Sequence, residues 1–285
     1  MVTVRELVSR AQAQLEAAGN DNAAFEAREL AAFAMGTDVA QLMAAGTEQA
    51  SEGLSERLND LCRRRAEGEP LQYILGEWEF CGLPFKVGRG VLIPRQDTET
   101  VVEQIVDKYK KLDNITLIDL CAGTGCIGIT AEKLAGIERV LSVELYPGAA
   151  EHLKENIRLN GSGAEVVIAD VLDPETAKLL PEADVIVCNP PYLTAEEMKT
   201  LQREVSFEPE TALYGGEDGL DFSRAVVRLY KEKLKPGGMI FFEIGASQAA
   251  EVMAILIQHG FRNVRSRKDS CGNDRCVFAE VRGNK

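Results

Sequence analysis

Through the first seventy residues apolar side chains recur every three or four positions, the spacing of one buried helical face. Val4, Leu7, Val8, Ala11 and Leu15 form the first such face. Gly19-Asn20 ends that helix, and Asp21 or Asn22 can cap the next. Ala27, Leu30, Ala31 and Ala34 mark a second helix, and Leu54, Leu58 and Leu61, behind Ser51, a later one. No strand pattern interrupts them. Residues 1–70 are therefore expected to form a small helical bundle that ends at Gly68-Glu69-Pro70. The pattern is compatible both with a passive stabilising cap and with a unit that recognises a partner.

From 71 to 94 the pattern changes. Trp78, Phe80, Phe85 and Val87 surround Gly82 and Pro84, which predicts a β-hairpin linker. A helix is expected to begin near Thr98. Apolar runs then occur at 116–120, 139–143, 165–169, 184–188 and 239–244, the first few separated by helical stretches. This is the βαβ text of a mainly parallel sheet covered on both faces. A helix over 249–259 and strands at 264–267 and 276–281 follow. The short separation of those strands, with Gly272-Asn273 between, predicts an antiparallel edge. The fold class is α/β: a Rossmann-like domain over 95–285, preceded by the helical bundle and the hairpin linker.

Composition narrows the field. Lys plus Arg is 32 against 45 for Asp plus Glu, a net charge of -13. A chain this acidic lacks the broad basic field of non-specific nucleic-acid binding. No apolar run approaches the ~18–20 residues that span a bilayer, and MVTVRELVSR carries no apolar core of a signal peptide. A cytoplasmic protein without membrane partners is expected. The seven cysteines are expected to be reduced and mostly buried. Two C-x4-C spacings occur, but only His152 and His259 could join them, so packing is favoured over zinc and no metal is expected.

Asp119-Leu120-Cys121-Ala122-Gly123-Thr124-Gly125-Cys126-Ile127-Gly128 closes the first strand of this domain and opens a helix. Gly123, Gly125 and Gly128 match G-x-G-x-x-G, whose glycines allow a tight turn and a close backbone approach to a ligand. Glu144 ends the second strand, near the spacing of a ribose-binding carboxylate. Asp170 ends the third, where it could accept a bond from an adenine amino group or cap a helix. NAD enzymes and S-adenosylmethionine (SAM) methyltransferases both meet this pattern.

The fourth strand ends in Asn189-Pro190-Pro191-Tyr192. Paired prolines fix φ and lack N–H donors, giving a rigid loop with exposed carbonyls. Asn189 adds a side-chain carbonyl, and Tyr192 a flat face. Together they can receive a planar NH2 group at the carboxyl edge of the sheet, where open α/β sheets bind ligands.

With these residues the chain resembles the HemK/PrmC family, the release factor glutamine N5-methyltransferases. The resemblance covers nearly the whole chain. It includes Glu69-Pro70-Leu71-Gln72-Tyr73-Ile74-Leu75-Gly76, Phe80-Cys81-Gly82-Leu83-Pro84-Phe85 and Val91-Leu92-Ile93-Pro94-Arg95. It continues through the glycine loop, the acceptor tetrapeptide, Phe207-Glu208-Pro209, 215–221, Glu243-Ile244-Gly245 and Gly272-Asn273-Asp274-Arg275. There are departures. The family often has Gly where Cys121 or Ala122 stands, and its usual ribose acid is Asp rather than Glu144. After Ile93-Pro94-Arg95 it usually continues Pro-Glu-Thr-Glu, where Gln96-Asp97-Thr98-Glu99 stands here.

The resemblance implies methyl transfer from SAM, with S-adenosylhomocysteine as product, to the Gly-Gly-Gln glutamine of class-1 peptide chain release factors. Cofactor contacts are expected at Cys121, Ala122, Gly123, Thr124, Gly125, Glu144, Asp170, Val171 and Asn189. Substrate contacts are expected at Asn189, Pro190, Pro191 and Tyr192, with Asn189, Pro190 and Tyr192 catalytic. The helical bundle would help to engage the release factor, and a monomer with no direct nucleic-acid partner is expected. The alternative is an adenine N6-type amino methyltransferase acting on nucleic acid, against which the charge argues. An NAD oxidoreductase leaves the acceptor tetrapeptide unexplained, and a non-catalytic binding module has no need of both intact loops.

Overall fold

Thr3 opens the first helix with a capping box: its hydroxyl accepts from the Glu6 N–H at 3.3 Å, and the Glu6 carboxylate accepts from the Thr3 N–H at 2.9 Å. The computed structural model describes residues 2–283 and divides the chain into two units. One runs through Glu77 and includes Gln202–Phe207; the other comprises Trp78–Leu201 and residues from Glu208 onward.

The first unit holds α1 (Val4–Ala17), α2 (Ala23–Met35), α3 (Val39–Ala44), α4 (Glu52–Ala66) and α5 (Leu71–Leu75). Val4, Leu7, Ala11 and Leu15 are buried on α1, as are Ala27, Leu30, Ala31 and Ala34 on α2. Ser51 caps α4, accepting from the Leu54 N–H at 3.2 Å. Among these apolar faces lies a buried ion pair. Arg65 Nε and Nη2 donate to Glu26 at 2.5 and 3.2 Å. Glu204 adds a second carboxylate to the same guanidinium, and Arg203 donates to the Ala66 carbonyl at 3.2 Å. These bonds attach a segment distant in sequence to the helical unit.

The hairpin β1 (Glu77–Phe80) and β2 (Leu83–Lys86) follows, and from Trp78 onward it belongs to the second unit. Cys81 and Gly82 both take positive φ, 49° and 77°, the requirement of a tight two-residue turn. The hairpin occupies only part of the expected linker, because Leu71–Leu75 folds as helix α5. Then follow α6 (Gln96–Tyr109), β3 (Thr116–Leu120), α7 (Cys126–Ala135), β4 (Arg139–Glu144), α8 (Pro147–Leu159), β5 (Glu165–Ile168), α9 (Pro174–Leu179) and β6 (Ala183–Cys188). The chain ends with α10 (Asp221–Tyr230), β7 (Leu234–Glu243), α11 (Ala249–Gln258), β8 (Arg262–Lys268) and β9 (Asp274–Glu280).

The seven-stranded sheet runs β5-β4-β3-β6-β7-β9-β8. The first five strands are parallel, and β9 is antiparallel to both of its neighbours. The last strand in sequence therefore lies inside β8, which takes the edge. Alternation along each strand feeds two cores. Leu117, Val140, Val185 and Phe241 face one layer with α6 and α7; Ile118, Leu141, Ile186 and Ile240 face the other with α10 and α11. Leu120 pairs with both Val143 and Cys188, and Cys188 with Phe242. That register brings the carboxyl ends of β3, β4, β6 and β7 level, so the loops leaving them share one rim. Among the described residues no helix is long and apolar enough to cross a membrane.

Candidate active site

The loop between β3 and α7 is built around left-handed backbone. Cys121, Gly123 and Gly125 have φ of 59°, 54° and 79°. Cys121 thus holds, with a β-carbon, a conformation that normally costs a non-glycine residue about 1–2 kcal/mol. Gly125 caps α7, and a β-carbon there would collide with Leu153 Cδ1. The third glycine of the fingerprint has a different reason. The Gly128 N–H donates to Asp119 Oδ2 at 3.0 Å, and a β-carbon on it would stand 2.9 Å from that same oxygen. Burial pushes the Asp119 carboxyl up to about 7, opposed by the Gly128 N–H and reinforced by Glu144.

Glu144 ends β4 with both oxygens held: Oε2 accepts from the Gly123 N–H and Oε1 from the Tyr146 N–H, each at 2.9 Å. The acid therefore fixes the glycine loop as well as facing the cavity. Asp170 Oδ1 accepts from the Leu172 N–H at 2.8 Å, whereas Asp173 caps α9 through the Glu175 N–H at 2.9 Å. Asp170 caps no helix and lines the cavity described next.

These groups line one cavity of about 210 Å³. Cys121, Ala122, Gly123 and Thr124 form part of its wall, with Glu144, Asp170, Val171, Asn189 and Pro191. Gly125, Pro190 and Tyr192 do not line it: Gly125 is the buried residue that ends the loop and caps α7, and Pro190 is buried within the acceptor turn. Apolar surface comes from Leu145, Leu172 and Phe222, and a further wall from Val91, Ile93, Arg95 and Thr98. That wall carried no expected contact, although its run Val91–Arg95 carried part of the resemblance. Glu208 holds it in place by accepting from the Ile93 N–H at 3.0 Å and pairing with Arg95.

The acceptor turn is fixed from below. Gln248 Nε2 donates to the Tyr192 carbonyl at 2.9 Å, and the Tyr192 hydroxyl donates to Glu243 Oε1 at 3.4 Å. Gly219 packs so closely that a β-carbon would strike the Tyr192 carbonyl oxygen, and one on Gly215 would lie 2.5 Å from the Pro191 carbonyl. Leu193 pairs with the 213–215 stretch: its N–H donates to Leu213 at 2.8 Å, and its carbonyl accepts from Gly215 at 2.9 Å. Burial, then Glu243, pushes the Tyr192 hydroxyl well up, so it stays protonated. Glu243 and Gln248 were missed as supporting residues. The available signal was position: Glu243 ends a strand on the same rim as the site.

SAM fits this donor set. A fixed carboxylate suits ribose hydroxyls, a second suits an exocyclic amine, and apolar side chains suit an aromatic base. A cavity with this lining beside the Asn189-Pro190-Pro191-Tyr192 turn, on a parallel sheet closed by an antiparallel strand, fits the SAM-dependent methyltransferases. Solved structures share the fold. A methyltransferase from Pyrococcus furiosus aligns with TM-score 0.54 at 17% identity, covering 72% of this chain and 91% of the other. The hMettl16 catalytic domain, solved with the MAT2A 3'UTR hairpin 6, aligns with TM-score 0.60 at 19% identity, covering 79% and 83%.

Sequence comparison is more specific. Residues 6–76 match the PrmC N-terminal domain model and 96–210 the methyltransferase small domain model. A release factor glutamine methyltransferase of Geobacter sulfurreducens is 35% identical over 98% of this chain and 97% of its own. One of Thermodesulfovibrio yellowstonii is 36% identical over 90% and 91%. The chain belongs to the release factor glutamine methyltransferase family.

Proposed function

We propose that this chain transfers a methyl group from SAM to the side-chain amide nitrogen of the glutamine in the Gly-Gly-Gln motif of class-1 peptide chain release factors. The observation that carries this reading is the placement of Asn189-Pro190-Pro191-Tyr192 at the end of β6, beside the adenosyl-type cavity, in a chain whose relatives bear that name. SAM supplies an electrophilic methyl group on sulfonium.

The protein's task is to compensate for a poor nucleophile, since the amide lone pair is delocalised into its carbonyl. Asn189 Oδ1 and the Pro190 carbonyl accept the two amide hydrogens and aim the nitrogen in line with the departing sulfur. Such positioning can contribute about 7–11 kcal/mol. Tyr192 packs its ring on the amide plane. No general base is assigned, because the proton is acidic once nitrogen has become cationic. Cys121, Ala122, Gly123, Thr124, Glu144, Asp170 and Val171 hold the donor, and Gly125 shapes the end of the loop where α7 begins.

We assign release-factor engagement to residues 1–70, the linker role to 71–94 and catalysis to 95–285. The enzyme acts as a cytoplasmic monomer on protein, without a nucleic-acid partner. Incubation with labelled SAM and either purified release factor or DNA, followed by mass spectrometry, tests the reading. Label is expected on the Gly-Gly-Gln glutamine; label on DNA alone would overturn it. Removing residues 1–70 is expected to weaken methylation of the intact factor more than of a short Gly-Gly-Gln peptide.

A further inference from the structure

Glu243 is the last residue of β7, one position beyond the Cys188–Phe242 pair, and so lies beside Asn189. Its side chain is buried; its second oxygen, Oε2, has no hydrogen-bond partner within 3.5 Å among the described residues, and the Thr98 side chain lies near enough to favour the ionised carboxylate. A buried carboxyl oxygen without a partner costs free energy, and such a group calls for an explanation. Its first oxygen receives the Tyr192 hydroxyl at 3.4 Å.

We propose that Glu243 is a positioning residue for methyl transfer, holding the Tyr192 ring through its hydroxyl and making turnover depend on the charge of this one carboxyl. The inference rests on the acceptor role given above to Asn189-Pro190-Pro191-Tyr192. At 3.4 Å the bond is long, and an ionised Glu243 draws the Tyr192 hydroxyl to it more strongly than the protonated carboxyl does. The ring is then fixed at high pH and looser at low pH.

The surroundings of Glu243 set where that change falls. Burial raises its pKa to about 7; Thr98 and Arg275 oppose the rise, Asp97 adds to it, and the Tyr192 hydroxyl opposes it. Cys126 of α7 and Cys276 of β9 are the neighbouring thiols, both buried and pushed well up, so they stay neutral. Arg275 offsets the burial of Glu243 only in part, because its guanidinium is shared with other partners. It pairs with Asp97 at 3.1 Å and Asp269 at 3.3 Å and donates to the Ile244 carbonyl at 3.1 Å. The reacting amide, the Asn189 side chain and the Pro190 carbonyl do not change charge near neutrality. Asp119 is the other carboxyl raised to about 7. It lies under the cofactor loop, so its titration should register in the KM for SAM rather than in kcat.

The test is steady-state methylation of purified release factor from about pH 5.5 to 8.5. Wild-type kcat should fall below about pH 7. Glu243→Gln should flatten that limb and lower kcat at pH 8 by about five- to tenfold, with the KM for SAM changed less than about twofold. In a Tyr192→Phe background the same substitution should cost nothing more. Retention of the acid limb in Glu243→Gln, or an equal cost in both backgrounds, overturns the inference. If Glu243→Gln does not fold, Tyr192→Phe decides alone: loss of the limb supports the proposal, and a persisting limb overturns it. A wild-type enzyme inactive on release factor defeats the proposed function and this inference together. An active wild type indistinguishable from Glu243→Gln defeats the inference alone.

Discussion

The cofactor loop and the acceptor turn leave neighbouring strands at the same rim, but they are held by different kinds of scaffold. The loop after β3 closes on itself and on the next strand. The Gly125 N–H reaches Ala122 at 2.7 Å, the Ala122 N–H reaches Val143 at 3.0 Å, and the Gly123 N–H reaches Glu144 at 2.9 Å. The turn after β6 is held by Gly215, Gly219, Glu243 and Gln248, which come from the long connection before α10, the end of β7 and the start of α11. A loop that presents backbone to an adenosyl group can be specified by its own glycines and one acid. A turn proposed to point two acceptors and a ring at an amide needs support from several later elements. Damage to the first should register as donor affinity, and damage to the second as rate.

Asn189→Ala gives the largest contrast. It removes one of the two acceptors proposed for the reacting amide and leaves the glycine loop untouched. Methylation should fall by about 100-fold or more, the scale of losing one oriented hydrogen-bonding group at a reacting centre. SAM affinity by calorimetry should change less than about threefold. A matching loss of SAM affinity would break the comparison, since Asn189 would then serve the donor pocket first.

Gly219→Ala tests the scaffold rather than the turn. Residue 219 has φ 72° and is in close contact with the Tyr192 carbonyl and Gln248 Nε2, so a methyl group there must displace one of them. The expected loss in kcat is about tenfold or more, with SAM binding retained. Glu144→Ala is the reciprocal experiment. It strips the acceptor from two backbone N–H groups and removes the acid facing the cavity. SAM affinity should fall by about tenfold, while kcat at saturating SAM stays within about threefold.

The same difference explains what was legible in the chain. The strands from Thr116 to Cys188 appear as apolar runs because a parallel sheet covered on both faces imposes them. The fingerprint and Glu144 were visible because backbone conformation restricts residue type over a few positions. Asn189-Pro190-Pro191-Tyr192 was visible for its chemistry, but its supports were not. Nothing local marks Gly219 or Gln248 as the seat of Tyr192; that follows only from the sheet order. The 202–207 segment was equally hidden, because its attachment to the helical unit depends on Glu204 meeting the buried Glu26–Arg65 pair. Helix α5 was read as part of a hairpin linker because Tyr73-Ile74-Leu75 is apolar and too short to show a period.

The smallest expected effect lies beneath the cofactor loop. The Asp119 carboxyl is raised from 3.8 to about 7 by burial. Between those values the unfolded chain ionises this group while the folded chain keeps it neutral, so stability declines as pH rises through that window, and the full cost is present above it. Asp119→Asn retains an oxygen that can accept from the Gly128 N–H and cannot ionise. Its melting temperature should therefore exceed the wild type's by more at pH 8 than at pH 5, by a few degrees, because one kcal/mol moves the midpoint of a domain this size by about 2–4 °C. The effect is small because the loop's own backbone bonds persist in both forms. A variant that instead loses stability as pH rises would mean that an ionised Asp119 braces the glycine loop. The cofactor loop would then depend on a buried charge, as the acceptor turn is proposed to depend on Glu243, and the contrast between the two scaffolds would narrow to the distance in sequence over which each is assembled.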